Sequence, residues 1–580
     1  MIAAALLALL AQAEPAPGTT APAKPIRYAV NLRVDPETQT IVGRASLEGA
    51  DAPLRLTFSE GYAFKTLEPR LVGELSATVA GAKIEVERES PFAWRLDGTR
   101  GGPIDLAWTV KLDHREHPDV IAATDGYEQP YVDEAHGMIF TAAVLPIPAL
   151  GGAAGGSPGV DPGVDPSVDV EIEIAGPDGW SVVAPWPDVP NSGHTYRPSL
   201  DALRDDIVLV GDWKVSEVNA GGLAATFAFA PSEEWLEPLV KEQLGPIVEA
   251  EIALFGGAPQ PKYLFVFGSS GGVPGLGGSP KTNSMTLFVG KDLPESRLSS
   301  GISHLVAHEF HHTWMRSRCQ PEDDLRFVAE GYTDYYAYLV SWRLGFLSRE
   351  RFKAILEEKI AKGSRALGEY GGSLAAAGGP EFFLGRSAYD ACYAGGLTMA
   401  LWTDIAIRSG KKPRSLDGFM RAFYGDKAWD DGTRPDLAHW KSLLESWLGA
   451  ELAAEHMKAV EGPGDFDLVA LFAAIDTPVD VEDVSAGNSP RANFDGATLR
   501  QLDPTGPAAL AGLHARDRLL SVNGMAVKGE GDVRKAWRKP IDGRLVVVFE
   551  RDGVEKTLDV PEPTIRKYTL ADNVLSTLAR

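Results

Sequence analysis

The sequence predicts a multidomain α+β protein: an N-terminal antiparallel β domain, a mixed domain with a helical continuation, and a second strand-rich module at the C-terminus. Three observations predict it. The chain has 580 residues, and at about 150 residues per domain that is three to five domains. From Ile26 to about Pro231, short runs such as Tyr28-Ala-Val-Asn-Leu-Arg-Val34 and Ile104-Asp-Leu-Ala-Trp-Thr-Val-Lys-Leu112 alternate apolar and polar residues between turn residues, the pattern of half-buried antiparallel strands. At Glu233 the period lengthens: Trp235, Leu236, Leu239, Val240 and Leu244 follow helical spacing. Amphipathic segments then dominate to about Ala474, after which strands and turns return.

These shifts divide the chain into a β domain at 26–231, a mixed domain at 232–474 and a β-rich module at 478–563. Within the first, Gly151 to Ser167 is a flexible-linker composition with a short VDPG-type repeat. Within the second, a helix is expected to break at Gly245-Pro246 and resume from Ile247 to Phe255. Strands are expected at Tyr263–Phe267 and Asn283–Val289, with glycine-rich Gly268–Gly278 as the connection between them. That connection continues as Ser279-Pro280-Lys281, so no Gly-Lys-Ser/Thr opens a helix to cradle a phosphate. A nucleotide site is excluded on that ground.

Composition narrows the function. Hydrophobic residues at 44% and charged residues at 23% are globular values. Eighty acidic against 56 basic residues give a net charge of −24, which disfavours nucleic acid or an anionic membrane as the main partner. Beyond the N-terminus no apolar run approaches the ~20 residues of a membrane span. Two cysteines, Cys319 and Cys392, exclude a disulfide scaffold and a four-cysteine zinc site, and leave one disulfide open. Met1 to Ala11 is apolar, and Ala11-Gln12-Ala13 is a small-x-small cleavage site. Residues 1–13 therefore read as a secretory signal peptide, without the usual Lys or Arg before the apolar run, and place the mature protein in the periplasm or outside the cell. A Pro/Ala-rich leader follows.

The chemistry is concentrated on one expected helix, Ile302 to Arg316. It carries His308-Glu309-Phe310-His311-His312. His308 and His312, at i and i+4, project from one face about a turn apart, so two neutral imidazole nitrogens can share one tetrahedral Zn²⁺ while Glu309 stands beside the open position. Eighteen residues on, Glu330 supplies the carboxylate that completes a two-histidine, one-glutamate set, leaving the fourth position to water. Asp334, one turn later, is placed to accept the outer N–H of a ligating histidine. His304, His311 and His136 are not assigned to the metal: the 308/312 pair alone encloses a glutamate.

The His308–His312 motif, the Glu330-Gly331-x-Thr333 block and Tyr393-Ala-Gly-Gly396 resemble the gluzincin metallopeptidases, and among them the glycyl aminopeptidase-type family. The resemblance implies a thermolysin-like catalytic domain between the N-terminal β domain and a PDZ domain, with one Zn²⁺ per chain and a peptide or protein as substrate. It implies that His308, His312 and Glu330 hold zinc. It also implies that Glu309 is the general base toward the attacking water and that Tyr393 stabilises the oxyanion. The family's Tyr-x-Lys-Gly becomes Tyr393-Ala-Gly395-Gly396 here, and Tyr389 is the rival for that role.

Relatives bind the substrate amine with a glutamate in a Gly-Gly-Leu-Glu-His-type stretch. The matching stretch, Gly277-Gly-Ser-Pro-Lys-Thr-Asn-Ser284, keeps Gly277 and Gly278 as substrate-binding candidates but has no acid, and Lys281 would repel an ammonium group. Glu128, Asp133 and Glu134 are the candidates to replace it. Aminopeptidase and endopeptidase action therefore both stay open.

Gly506 to Leu513, then Asp517-Arg-Leu-Leu-Ser-Val-Asn-Gly524, resemble a bacterial-type PDZ domain. That implies a peptide C-terminus as ligand, bound by strand addition, with the carboxylate-binding loop near Asn493–Ala497. Two alternatives to a peptidase stand beside it: a non-catalytic PDZ-containing interaction protein that retains the gluzincin fold, and a metal-dependent hydrolase of a non-peptide amide or ester.

Overall fold

The computed structural model describes residues 26–579 apart from 51–53, 60, 63–64, 67–71, 98–101, 113–129, 150–167, 270–275, 290–294, 319–320, 432, 464–466, 486–489, 491, 503–506 and 562–563. The expected signal peptide, the VDPG-type insertion, Glu128 and Cys319 lie outside the described residues. The chain forms two compact units. One is Met1–Gly245 with Ala258–Ser299, and the other is Pro246–Gly257 with Ser300–Arg580.

In the first unit, alternating sequence becomes a seven-stranded sheet. Strands β1 (Ile26–Asp35), β2 (Thr40–Glu48), β3 (Val72–Val79), β4 (Ile104–Lys111) and β5 (Val168–Ala175) are ordered β5-β1-β2-β4-β3, with Thr195–Tyr196 beside β5 and Ala82–Lys83 beside β3. Burial along β1 alternates, so Tyr28, Val30, Leu32 and Val34 face the core. The polar tips buried with them have partners: the Tyr28 hydroxyl donates to Pro146 O at 2.7 Å and Trp108 Nε1 to Val144 O at 2.8 Å.

A five-stranded sheet in the same unit contains β6 (Lys214–Ala220), β7 (Leu223–Phe229), β8 (Lys262–Ser269), β9 (Leu276–Pro280) and β10 (Ser284–Val289), in the order β6-β7-β8-β10-β9. Its first two strands precede residue 231 and its last three follow it. The centre, β7-β8-β10, is parallel, and every described residue of β10 is buried, as a strand covered on both faces requires. Edge strand β9 corrects the sequence reading, in which Gly268–Gly278 was wholly a connection. Glycine has poor strand propensity, but Gly277 pairs with Phe288, and a Cβ there would lie 2.2 Å from that ring. The aromatic ring needs the space the glycine leaves.

Helix α1 (Gly245–Phe255) belongs to unit two from Pro246 onward. The expected break at Gly245-Pro246 is not a break: a π turn, Val240–Leu244, runs straight into α1. Pro246, which has no N–H to donate, sits directly after the Gly245 N–H to Val240 O bond that closes the π turn. Next comes α2 (Glu295–Arg318), then a π turn Phe327–Tyr332 that passes into α3 (Thr333–Arg343), and then α4 (Arg349–Tyr370). A third π turn, Ala391–Gly395, passes into α5 (Gly396–Ser409). The last two π turns and their helices meet at glycines. A Cβ on Gly331 would lie 2.4 Å from the Gly396 backbone, and one on Gly396 would lie 2.2 Å from Phe327 O.

Near the C-terminus, β11 (Val479–Ser485) pairs antiparallel with β12 (Thr564–Leu570), and a short helix, α6 (Asn573–Leu578), follows. Between β11 and β12 lies a separate sheet built from Ala492–Asp495, Thr498–Leu502, Arg518–Val522, Arg544–Arg551 and Val554–Pro561. With the helix Glu530–Trp537 it encloses its own core, which includes Leu499, Leu519, Val533, Trp537 and Val560. Asn523 and Gly524 take φ of 51° and 72°, the left-handed turn their sequence predicts. Asn493–Ala497, expected as a loop, is instead the end of a strand and its hairpin turn. No helix among the described residues is long and apolar enough to cross a membrane.

His456 is fully buried among Tyr332, Trp402 and Trp440, with Nε2 3.3 Å from the Tyr332 hydroxyl. Burial pushes its pKa down to about 3. Because the folded value lies below the unfolded one of about 6.5, the stability it supports is present above pH 6.5 and lost as pH falls toward 3. Between pH 6.5 and 5 this amounts to roughly 2 kcal/mol. Thermal melts of the wild type and His456→Gln at pH 7 and pH 5 test it: acidification costs the wild type more.

Candidate metal centre

Helix α2 brings His308 and His312 to one face, and the π turn before α3 brings Glu330 to meet them. His308 Nε2 and His312 Nε2 are 3.3 Å apart, and Glu330 Oε2 lies 3.5 and 3.6 Å from them. Ligands held tetrahedrally at 2.0–2.1 Å from zinc stand about 3.3–3.4 Å from one another. The three atoms thus form one face of such a site. Glu330 Oε2 is buried and has no hydrogen-bond partner, a state that is costly for a carboxylate without a cation. The donor set and its spacing fit zinc.

Electrostatics agree with the geometry. Burial works to raise the Glu330 pKa, but His308 and His312, with help from the Tyr393 hydroxyl, bring it down to about 2. It is a carboxylate, the form a metal needs. Glu309, next to His308 and nearly buried, acts electrostatically on His308, Tyr389 and Tyr393. The Tyr393 ring stacks on His308 at 5.7 Å and on Tyr389 at 4.4 Å. Its hydroxyl helps to hold the Glu330 pKa down, and burial with the Glu330 charge holds its own pKa up. Of the two tyrosines, Tyr393 is the one whose ring stacks on His308.

Asp334 faces the outer nitrogen of His308, with Oδ1 3.7 Å from Nδ1. It is held more tightly by two residues that the sequence did not assign. His304 Nε2 lies 2.9 Å from the same oxygen, and Lys359 Nζ lies 2.5 Å from Oδ2. Burial opposes the Asp334 charge, yet Lys359 and His304 carry its pKa well below the carboxylate range. His304, His308 and Asp334 are also close enough to share a cation, but the Lys359 ammonium already sits on that carboxylate. His304 had a signal in its i−4 spacing from His308. Lys359 had none, being one lysine in a charged helix.

The remaining candidates have local roles. His311 is buried on the other side of α2, 3.1 Å from Glu251, and burial pushes its pKa down to about 3. His136 packs between Tyr131 and Trp213, 3.0 Å from Asp133. Asp133 also accepts from the Ala135 and His136 amides. Cys392 is a buried free thiol whose pKa burial pushes up to about 12. In the first unit, Gly277 and Gly278 lie on edge strand β9. Lys281 is buried, with Nζ 2.9 Å from Ser279 Oγ and over the Phe140 ring.

Gly395 is hemmed in. A Cβ on Gly363 of α4 would come within 2.7 Å of Gly395 N, and one on Gly395 itself would lie 3.3–3.4 Å from Leu374 and Leu367.

Comparison with known proteins locates this geometry. Residues 302–383, which span the three candidate ligands, match the M61 glycyl aminopeptidase family model, and residues 498–551 match the PDZ domain. The chain resembles a gluzincin peptidase with a PDZ domain. An aminopeptidase N family protein from Idiomarina loihiensis shares this gluzincin-like fold at a TM-score of 0.72 and 19% identity, over 95% of this chain and 99% of that one. An M1 zinc metallopeptidase from Deinococcus radiodurans is more distant, at a TM-score of 0.47 and 15% identity over 76% of this chain and 95% of that one. No curated protein matches the sequence. These findings support a peptidase.

Proposed function

We propose that the protein is an exported zinc-dependent peptidase, with one Zn²⁺ per chain, that hydrolyses peptide bonds with Glu309 as general base. The observation that carries this reading is the 3.3, 3.5 and 3.6 Å triangle of His308, His312 and Glu330 donor atoms with Glu309 beside it. Bound there, zinc would supply Lewis acidity toward water and the scissile carbonyl. Glu309 takes a proton from the attacking water and passes it to the leaving amine. Tyr393 donates its hydroxyl to the oxyanion that develops on the carbonyl oxygen. Its high pKa, which burial and then the Glu330 charge sustain, keeps that proton in place. Asp334 orients the His308 ring through its outer nitrogen. Gly277 and Gly278 on β9 hold substrate backbone, and the PDZ domain takes a peptide C-terminus. Export rests on residues 1–13.

Aminopeptidase action is the finer reading, and the acid-free Gly277–Ser284 stretch makes it the one to test. Zinc-loaded protein is given matched peptides with free and acetylated N-termini, with Glu309→Gln as the blank. Cleavage of free peptides alone means that an amine anchor lies elsewhere and the aminopeptidase reading stands. Cleavage of both makes the enzyme an endopeptidase. Zinc bound without cleavage of either overturns the peptidase reading in favour of an interaction protein.

A further inference from the structure

Helix α4 touches both segments that carry the site. Lys359 Nζ pairs with Asp334, whose other oxygen faces His308. One turn on, Lys362 Nζ lies 3.1 Å from Asp390, the residue that opens the π turn bearing Tyr393. Next to Lys362, α4 comes into backbone contact with that turn, because Gly363 has no side chain to hold it off: a Cβ would meet Gly395 N at 2.7 Å and Ala394 C at 2.8 Å. At 3.6 residues per turn, Lys359, Lys362 and Gly363 share one side of the helix.

The opposite side is gripped by the end of the chain. Glu357 accepts from the Leu570 amide at 2.9 Å, Lys353 pairs with Asp572 at 3.1 Å, and Ser364 bonds the Tyr568 hydroxyl at 2.9 Å. Tyr568 and Leu570 are themselves buried. The helix is therefore fixed from behind while its lysines reach forward.

Holding two helices together does not call for a half-buried ammonium, since apolar side chains of similar volume pack as well or better. A lysine placed on the carboxylate behind a metal-holding histidine is explained by what it does to that carboxylate. It fixes which way the Asp334 oxygens point, one toward Lys359 and the other toward His304 and His308. We infer that Lys359 and Lys362 are positioning residues: through Asp334 and Asp390 they set the metal-holding histidine and the Tyr393 turn in register with each other. This rests on the zinc peptidase reading above.

The test uses the full-length chain and separates the two lysines. Zinc affinity is measured by chelator competition, and kcat and KM on a peptide that the wild type cuts. Lys359→Met is expected to weaken zinc binding 10–100-fold, the usual effect of losing such an outer partner. Lys362→Met is expected to leave zinc binding and KM unchanged and to lower kcat about tenfold by displacing Tyr393. A purely structural role predicts parallel losses in both variants, tracking their melting temperatures, and that result overturns the inference. So does wild-type zinc affinity in folded Lys359→Met. If Lys359→Met does not fold, Lys362→Met decides alone, its side chain being partly exposed, and an unchanged kcat overturns the inference. A wild type that binds no zinc removes the metallopeptidase reading and this inference with it.

Discussion

Replacing Glu309 with glutamine is expected to lower kcat by about 10²–10⁴-fold, the range a positioned general base contributes, and to leave zinc affinity close to that of the wild type. Glutamine has nearly the shape of glutamate and keeps a polar tip, so a side chain only 8% exposed is replaced without opening a cavity. What it loses is the capacity to accept a proton. Because Glu309 is not one of the three atoms in the ligand triangle, metal content and activity separate in this variant. Chelator competition together with steady-state kinetics on one peptide checks both halves. Retained activity would mean that another group takes the proton, and lost zinc would mean that Glu309 belongs to the metal set.

How much of this was legible in the sequence depends on how local each feature is. His308 and His312 are four residues apart on one helix, so their convergence follows from helix geometry alone. Glu330 comes from the next helical segment, and a motif spacing carried it. Glycines in the Glu330-Gly331 and Gly395-Gly396 blocks were visible as pattern, and the structure supplies their reason: Gly331 and Gly396 face each other where a Cβ would collide with backbone.

Lys359 was not legible, because its partner is 25 residues away on another helix and lysines on amphipathic helices are usually solvated. The pairing of His311 with Glu251, 60 residues apart, was hidden in the same way. Two local features were misread. Glycine-rich β9 does not look like a strand until Phe288 is placed over Gly277, and Gly245-Pro246 looks like a helix stop until the π turn before it is seen. In the first, tertiary packing overrode residue propensity; in the second, a local π turn carries the helix through.

Replacing Glu330 with alanine is expected to remove tight zinc binding. Structural zinc sites bind with an apparent 10–16 kcal/mol spread over four ligands. One ligand of such a set is therefore worth roughly 3–4 kcal/mol, and its loss weakens binding about 10²–10³-fold. A ligand that binds only the folded chain stabilises it by about 2.7 kcal/mol at one hundred times its Kd. Adding zinc at that level therefore raises the wild-type melting temperature, while the same concentration does little for Glu330→Ala.

Glu330→Gln separates charge from shape. It keeps an oxygen at the Oε2 position, 3.5 and 3.6 Å from the two histidine nitrogens, but removes the negative charge that those histidines stabilise. If charge dominates, glutamine binds zinc nearly as poorly as alanine. If the third donor atom dominates, it recovers most of the affinity. A zinc-dependent shift in Glu330→Ala as large as in the wild type would place the metal elsewhere, and the His308–His312–Glu330 assignment would fall.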